Sequence, residues 1–307
     1  MTPLFERITI IGLGLLGGSI ALAAKSRGIA TTVVGVTRRP ETLTAAVRDG
    51  AVDRAGSDLA EGVRGAELVV LGTPVFAMAE VLRKTAPHLR EGALVTDVGS
   101  VKGILAEVLP GILPAGATYV GAHPMAGSHH SGFSHATADL FEGAACIVSP
   151  IPGTPRAPVE RVAAFWSALG ARVLERDPAV HDAEVGWVSH VPHVVAFAFA
   201  QALGVSPAGA SEVRGSGFRD FTRIALSDPD LWADILVSNR KAIAGPLQEV
   251  CEQITALGRI LEAGDAEAAE QFITAARDNL GRGGNHAQSG GAIPEIQAVS
   301  KKTATKE

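Results

Sequence analysis

Short apolar runs, each closed by a Gly or Pro turn and followed by a segment of helical period, alternate along the first half of the chain. Residues 8–11, 32–36, 68–71, 94–97, 119–121 and 145–148 predict strands, and residues 19–27, 40–49, 75–86 and 101–109 predict the helices between the earlier ones. This alternation implies parallel strands joined by crossover helices, which gives an α/β class with a doubly wound, Rossmann-type parallel sheet. After about residue 177 the pattern becomes Ala-rich and helical, with long helices expected at 181–203, 230–262 and 265–280. Their wide apolar faces need covering, so an all-α substrate and dimerisation domain, forming a homodimer, is expected to follow the sheet. The boundaries expected are 1–176 for the dinucleotide-binding domain and 177–281 for the helical domain. Residues 282–307, rich in Gly, Ser, Lys and Thr, read as a flexible tail.

Composition supports two cores: 307 residues are 47% hydrophobic and 19% charged. The net charge of −5 provides no basic field for a polyanion, so a small-molecule substrate is expected rather than nucleic acid. Cys146 and Cys251 are far apart and lack ligand spacing, which points away from both a disulfide and a metal site. The apolar stretch 8–24 is interrupted by Gly12, Gly14, Gly17 and Gly18, so it reads as a strand and a turn rather than a signal or membrane segment. No other run is expected to approach the ~18 residues needed to span a bilayer, and a cytoplasmic location without membrane partners is expected.

Gly12-Leu13-Gly14-Leu15-Leu16-Gly17 is a dinucleotide fingerprint in the required place, after a strand and before a helix expected near Ser19. Gly12 allows the tight turn, Gly14 lets the backbone approach a pyrophosphate, and Gly17 lets helix and strand pack closely. The second strand ends without the acid that bonds a ribose 2′-hydroxyl. In its place stand Thr37, Arg38 and Arg39, a hydroxyl and two cations suited to a 2′-phosphate, which favours NADP over NAD. Thr73, Pro74 and Val75, after a later strand, are expected to line the nicotinamide.

Thr96-Asp97-Val98-Gly99-Ser100-Val101-Lys102, Gly121-Ala122-His123-Pro124-Met125-Ala126-Gly127-Ser128, Ser189-His190-Val191-Pro192-His193 and Gly217-Phe218-Arg219-Asp220-Phe221-Thr222-Arg223 follow in order. Together they resemble the prephenate and arogenate dehydrogenase family, across roughly residues 7–280. The resemblance implies oxidative decarboxylation of a cyclohexadienol, with hydride passing to NAD(P)+ and the ring becoming aromatic. It implies that His123 is the catalytic base, and an imidazole with a reference pKa of ~6.5 suits that work. Ser100 matches the serine that orients histidine and substrate, and it could also cap a helix starting at Val101. Arg223 is the implied carboxylate clamp, which Asp220 could hold in place. His190 and His193 match substrate-side histidines, with Ser128 and Trp232 as further pocket residues. His129-His130 stand where some members carry an acid, which leans the reading toward prephenate, a keto acid, over arogenate. The chain has no room for a fused mutase or regulatory domain, so tyrosine would inhibit only at the active site. The rivals are a 3-hydroxyacid dehydrogenase of the same plan, with Lys241 as its candidate lysine, and a non-catalytic nicotinamide-binding regulator.

Overall fold

The structure, a computed structural model, describes residues 2–127 and 130–285. The chain divides between Leu247 and Gln248 into two compact units. In the first, β1 (Phe5–Ile11), α1 (Leu15–Ser26), β2 (Ala30–Val36), α2 (Pro40–Arg48), β3 (Arg54–Gly56), α3 (Leu59–Val63) and β4 (Leu68–Leu71) are followed by α4 (Val75–Thr85), β5 (Leu94–Asp97), α5 (Gly103–Val108) and β6 (Thr118–Tyr119). The six strands pair in parallel in the order β3-β2-β1-β4-β5-β6, the doubly wound arrangement the sequence predicts. Strand periodicity splits the core between the faces. Ile8, Ile10, Leu68 and Val70 enter one apolar cluster, and Ile11, Val69, Leu71 and Val95 enter the other.

Residues 119–121, expected as one strand, belong to two sheets. The chain leaves the first sheet after Tyr119 and opens a second with β7 (Gly121–Pro124), which pairs antiparallel with β8 (Ala145–Ser149). After α6 (Arg156–Ala168), β9 (Arg172–Glu175) completes this sheet in parallel with β8. A buried carboxylate holds the junction: Asp97 Oδ1 accepts from Tyr119 OH at 2.9 Å and from Ala122 N at 3.1 Å. Lys102 Nζ donates to Asp97 Oδ2 and to the Ala122 carbonyl. β3, α3, α6 and β9 were not expected. Arg54-Ala55-Gly56 has no apolar run, β9 has charged ends, and the prolines at 150, 152, 155 and 158 obscure the start of α6.

The helix expected at 181–203 is present but irregular: α7 (Pro178–Val185) leads through one π-helical turn (Gly186–His190) into α8 (Val191–Ala202). Pro192 has no N–H to donate and its ring crowds the preceding turn, and the wider turn sits directly before it. The apolar run 178–205 is 28 residues and is long and apolar enough to cross a bilayer, which overturns the expectation that no second run approaches that length. Its first turns carry buried His181 and Asp182, both hydrogen-bonded inside the unit. After α9 (Ser216–Thr222), the helix expected at 230–262 is broken into α10 (Pro229–Ser238) and α11 (Arg240–Ala263). The break falls at Asn239, whose buried side chain donates to the Asp182 carbonyl at 3.0 Å. In the second unit, α12 (Ala266–Asn285) runs four residues into the stretch read as tail, and residues 286–307 lie outside the described residues.

Asp97 and Lys102 are essentially without solvent exposure, so removing one partner leaves the other charge buried alone. Lys102→Met is expected to lower unfolding free energy by about 3–5 kcal/mol in urea titration. A loss below about 1 kcal/mol would show that the pair does not hold the sheet junction.

Candidate active site

The carboxyl ends of β1, β2, β4 and β5 lie along one edge of the first sheet, where ligands of such folds bind. α1 begins at Leu15, earlier than predicted, so Gly14 is its N-cap and the fingerprint forms the helix entry itself. Gly12 has a φ of 96°, and a Cβ there would meet the Gly72 carbonyl oxygen at 2.6 Å. At Gly17 a Cβ would fall 1.9 Å from the Gly12 oxygen, whereas at Gly14 it would meet nothing within 4 Å. Packing therefore demands the outer two glycines and leaves the middle one facing open space at a helix N-terminus, a cradle that fits a dinucleotide pyrophosphate. Leu13 is buried against Gly35, and Leu15 and Leu16 are half-buried, so these three would contribute backbone rather than side chains.

Half-buried Thr37 closes β2, and exposed Arg38 and Arg39 follow it with no ion pair among the described residues. Thr73 is half-buried and Pro74 exposed at the end of β4, but Val75 turns its side chain into the core with Ile11 and Leu71. At Val75, then, the backbone rather than the side chain is what the edge presents. Asp234 of α10 reaches the same place, its Oδ2 accepting from Phe76 N at 3.1 Å in the first turn of α4.

His123, on β7, is 8% exposed. Its Nδ1 lies 2.8 Å from His181 Nε2, and His181 Nδ1 lies 2.8 Å from Asp182 Oδ1. Asp182 also accepts from Lys102 N at 2.7 Å and Gly103 N at 2.8 Å. Burial, reinforced by the nearby Lys102 charge, holds His123 well below the ordinary imidazole range, which favours its neutral form. Burial likewise lowers His181, against the opposing pull of Asp182, and Lys102, against that of Asp97. Ser100 is half-buried two residues before Lys102. α5 starts at Gly103 with Lys102 as its N-cap, so the capping role open to Ser100 is not used.

A second group comes from the helices. His190 Nδ1 lies 2.9 Å from Asn239 Nδ2, and its Nε2 is buried with no partner among the described residues. Burial pushes His190 down to about 4. His193 Nδ1–H donates to the Ser189 carbonyl at 2.8 Å, and its ring stacks on Trp232 with centroids 3.6 Å apart. Burial lowers His193, with the Ser189 carbonyl opposing the shift and the Arg223 charge adding to it. Arg223 is exposed and forms no ion pair with Asp220, so the expected brace is absent. Ser128 and His129 lie outside the described residues, and exposed His130 stacks on His135 with centroids 4.5 Å apart.

A family model described as the nucleotide-binding domain of prephenate dehydrogenase matches residues 20–175, and one described as its dimerization domain matches residues 177–275. The chain belongs to the prephenate/arogenate dehydrogenase family. It is 34% identical over 298 residues to prephenate dehydrogenase of Bacillus subtilis, covering 96% of this chain and 80% of that protein. The crystal structure of A. aeolicus prephenate dehydrogenase with hydroxyphenyl propionate and NAD+ superposes with a TM-score of 0.83 at 31% identity, covering 90% of this chain and 98% of that one. Synechocystis arogenate dehydrogenase superposes at 0.78 with 30% identity, covering 90% and 99%. Within this family framework, His181, Asp182 and Asn239 are site neighbours that sequence reading did not single out. Lys102, within the motif at 96–102, is a further neighbour, its ammonium on Asp97 and the Ala122 carbonyl. A His-Asp dipeptide, His181-Asp182, at the entry of a largely apolar helical run was the available signal.

Two outcomes follow from the geometry. Gly17→Ala is expected to cost about 1–3 kcal/mol in thermal unfolding because backbone must shift, whereas Gly14→Ala should leave stability unchanged and weaken dinucleotide binding. Equal effects of the two on folding would contradict the open cradle. Separately, His123, His181 and His190 have folded-state pKa values below their unfolded value of ~6.5, so the unfolded chain binds more protons as pH falls. Their stability contribution is complete above about pH 6.5 and is lost progressively as pH falls below it, for His190 down to about 4. Urea midpoints should fall between pH 7 and pH 5, and a flat response would mean that these rings titrate normally.

Proposed function

We propose that the protein is a cytoplasmic, homodimeric dehydrogenase that converts prephenate to 4-hydroxyphenylpyruvate with NADP+ as the favoured acceptor. The observation that carries this reading is the buried imidazole of His123, backed by a hydrogen-bonded histidine and in the same compact unit as a glycine cradle shaped for a dinucleotide. When bound, the nicotinamide supplies the hydride acceptor. His123 takes the substrate's 4-hydroxyl proton while C4 gives up its hydride. The carboxylate on C1 leaves as carbon dioxide and its electron pair enters the ring. The proton then returns from His123 to the phenolic oxygen, so none is released overall. Ser100 would orient the hydroxyl, and Arg223 would hold a carboxylate through its planar fork. His190, His193 and Trp232 would form the wall of the slot, with Ser128 contacting the substrate side chain.

Arg38 and Arg39 support NADP, since both are exposed just after β2 and that strand does not end in an acid. His129-His130 favour prephenate, because no carboxylate is offered in that dipeptide to an ammonium. The dinucleotide-binding part ends at 176, and the helical part begins at 177 and includes α12. Trp187, Val188, Phe199 and Phe221 are exposed apolar side chains of the helical part, consistent with a subunit partner. The rival hydroxyacid chemistry requires a lysine in the helical domain, and Lys241 is exposed with no hydrogen-bond or ion-pair partner among the described residues.

Reduced cofactor should appear when purified protein meets prephenate and NADP+, and its absence with both prephenate and arogenate and with both cofactors refutes the reading. His123→Asn should lower kcat by about 10²-fold or more with cofactor affinity retained, and full turnover would remove the histidine from this role. Replacing Arg38 and Arg39 by Ala should raise KM for NADP+ while leaving that for NAD+ unchanged, and equal losses would overturn the phosphate assignment.

A further inference from the structure

We propose that His181 and Asp182 are positioning residues that set the tautomer of His123, keeping its Nδ1 protonated and leaving its Nε2 as the bare acceptor. The proposal rests on the reading of His123 as the base and adds which ring atom does the work. The argument starts at Asp182. Its carboxylate can only accept, and it already takes two backbone N–H groups, Lys102 at 2.7 Å and Gly103 at 2.8 Å. The third group on it, His181 Nδ1 at 2.8 Å, must therefore carry a proton.

A neutral imidazole has one donor nitrogen and one acceptor, so His181 Nε2 is then an acceptor. His123 Nδ1, 2.8 Å away, is consequently the donor, and the lone pair of neutral His123 resides on Nε2. The opposite arrangement would turn a bare His181 Nδ1 toward a carboxylate oxygen at 2.8 Å, two acceptors in contact. A doubly protonated His181 is opposed by its burial and by the nearby Lys102 charge. Because His181 and Asp182 are adjacent in α7 and Asp182 is tied to backbone, the acceptor facing His123 has little freedom to move. During turnover Nε2 gains the substrate proton and later returns it, while the Nδ1 proton stays in its hydrogen bond. No proton passes to His181 or Asp182. Their contribution is the correct starting tautomer and an acceptor that strengthens as His123 becomes an imidazolium.

The direct test is a long-range ¹⁵N–¹H spectrum of histidine-labelled enzyme with NADP+ bound, the His123 signals being identified by their loss in His123→Asn. The Nδ1–H tautomer is expected, and a dominant Nε2–H form or an even mixture overturns the proposal. Kinetics provide a second measurement. His181→Phe keeps the volume and removes the acceptor, so kcat should fall by about 10²-fold while KM for prephenate and cofactor affinity change less than about threefold. His181→Gln returns an oxygen toward His123 Nδ1 and should recover about tenfold of that loss. Wild-type kcat in His181→Phe, or no recovery in His181→Gln, refutes positioning. Full turnover by His123→Asn instead refutes the assignment of the base. Should His181→Phe fail to fold, the spectrum of the unaltered enzyme decides alone.

Discussion

A carboxylate with no solvent exposure, Asp97 at the end of β5, is the constraint around which the site is arranged. A buried charge is costly unless its lone pairs are used, and this one accepts from Gly99 N, Lys102 Nζ, Tyr119 OH and Ala122 N. Those donors come from the loop after β5, from β6 and from β7, so satisfying one side chain joins the carboxyl edge of the first sheet to the start of the second. Such pairs contribute more to geometry than to net stability, because an apolar replacement of similar volume can do as well energetically. What an apolar replacement would not supply is direction. Lys102 is held at both ends, by Asp97 through its ammonium and by Asp182 through its backbone N–H, and His123 follows Ala122 directly on β7.

The same economy explains the irregular helices. A regular α-helix through 186–190 would present Pro192 with a carbonyl it cannot bond, and the π turn lies immediately N-terminal to it. His181 and Asp182 stand before this turn and His190 and His193 at and after it, so one helical run meets His123 with its first turns and Trp232 with its later ones. Asn239 ends α10 and spends its amide on the Asp182 carbonyl and the His190 ring, where a helix-favouring residue would let the segment continue. Asp234, one turn earlier, bonds the first turn of α4 beside Thr73 and Pro74. Polar groups on α7 and α10 thus reach His123 and the first turn of α4.

Much of the sheet was legible because its signal is local. Residues 68–71 are apolar on both sides of the strand, the Gly12–Gly17 loop has one plausible conformation, and the alternation of strand and helix admits few topologies. Shorter elements escaped: β3 has no apolar run to mark it, and Tyr119-Val120-Gly121 reads continuously although the chain changes sheets there. Among the candidate site residues, His123, His190, His193, Trp232 and Arg223 stood out because their motifs resemble a family, not because their spacing revealed proximity. Arg223 and Asp220 looked like an ion pair from their separation by one turn, yet α9 ends at Thr222 and the pair does not form.

By itself the sequence determined the class of fold, the place of the dinucleotide loop, and the residue types available for proton transfer and carboxylate binding, since these follow from hydrophobic period, glycine spacing and side-chain acidity. Tertiary structure alone decided that His181 backs His123 and that Asp182 is clamped by two backbone amides. It also decided that Asn239 interrupts a helix. Each of these joins residues between 49 and 80 positions apart, and hydrogen bonds over such distances depend on where the packed core brings the backbone, which no local pattern encodes.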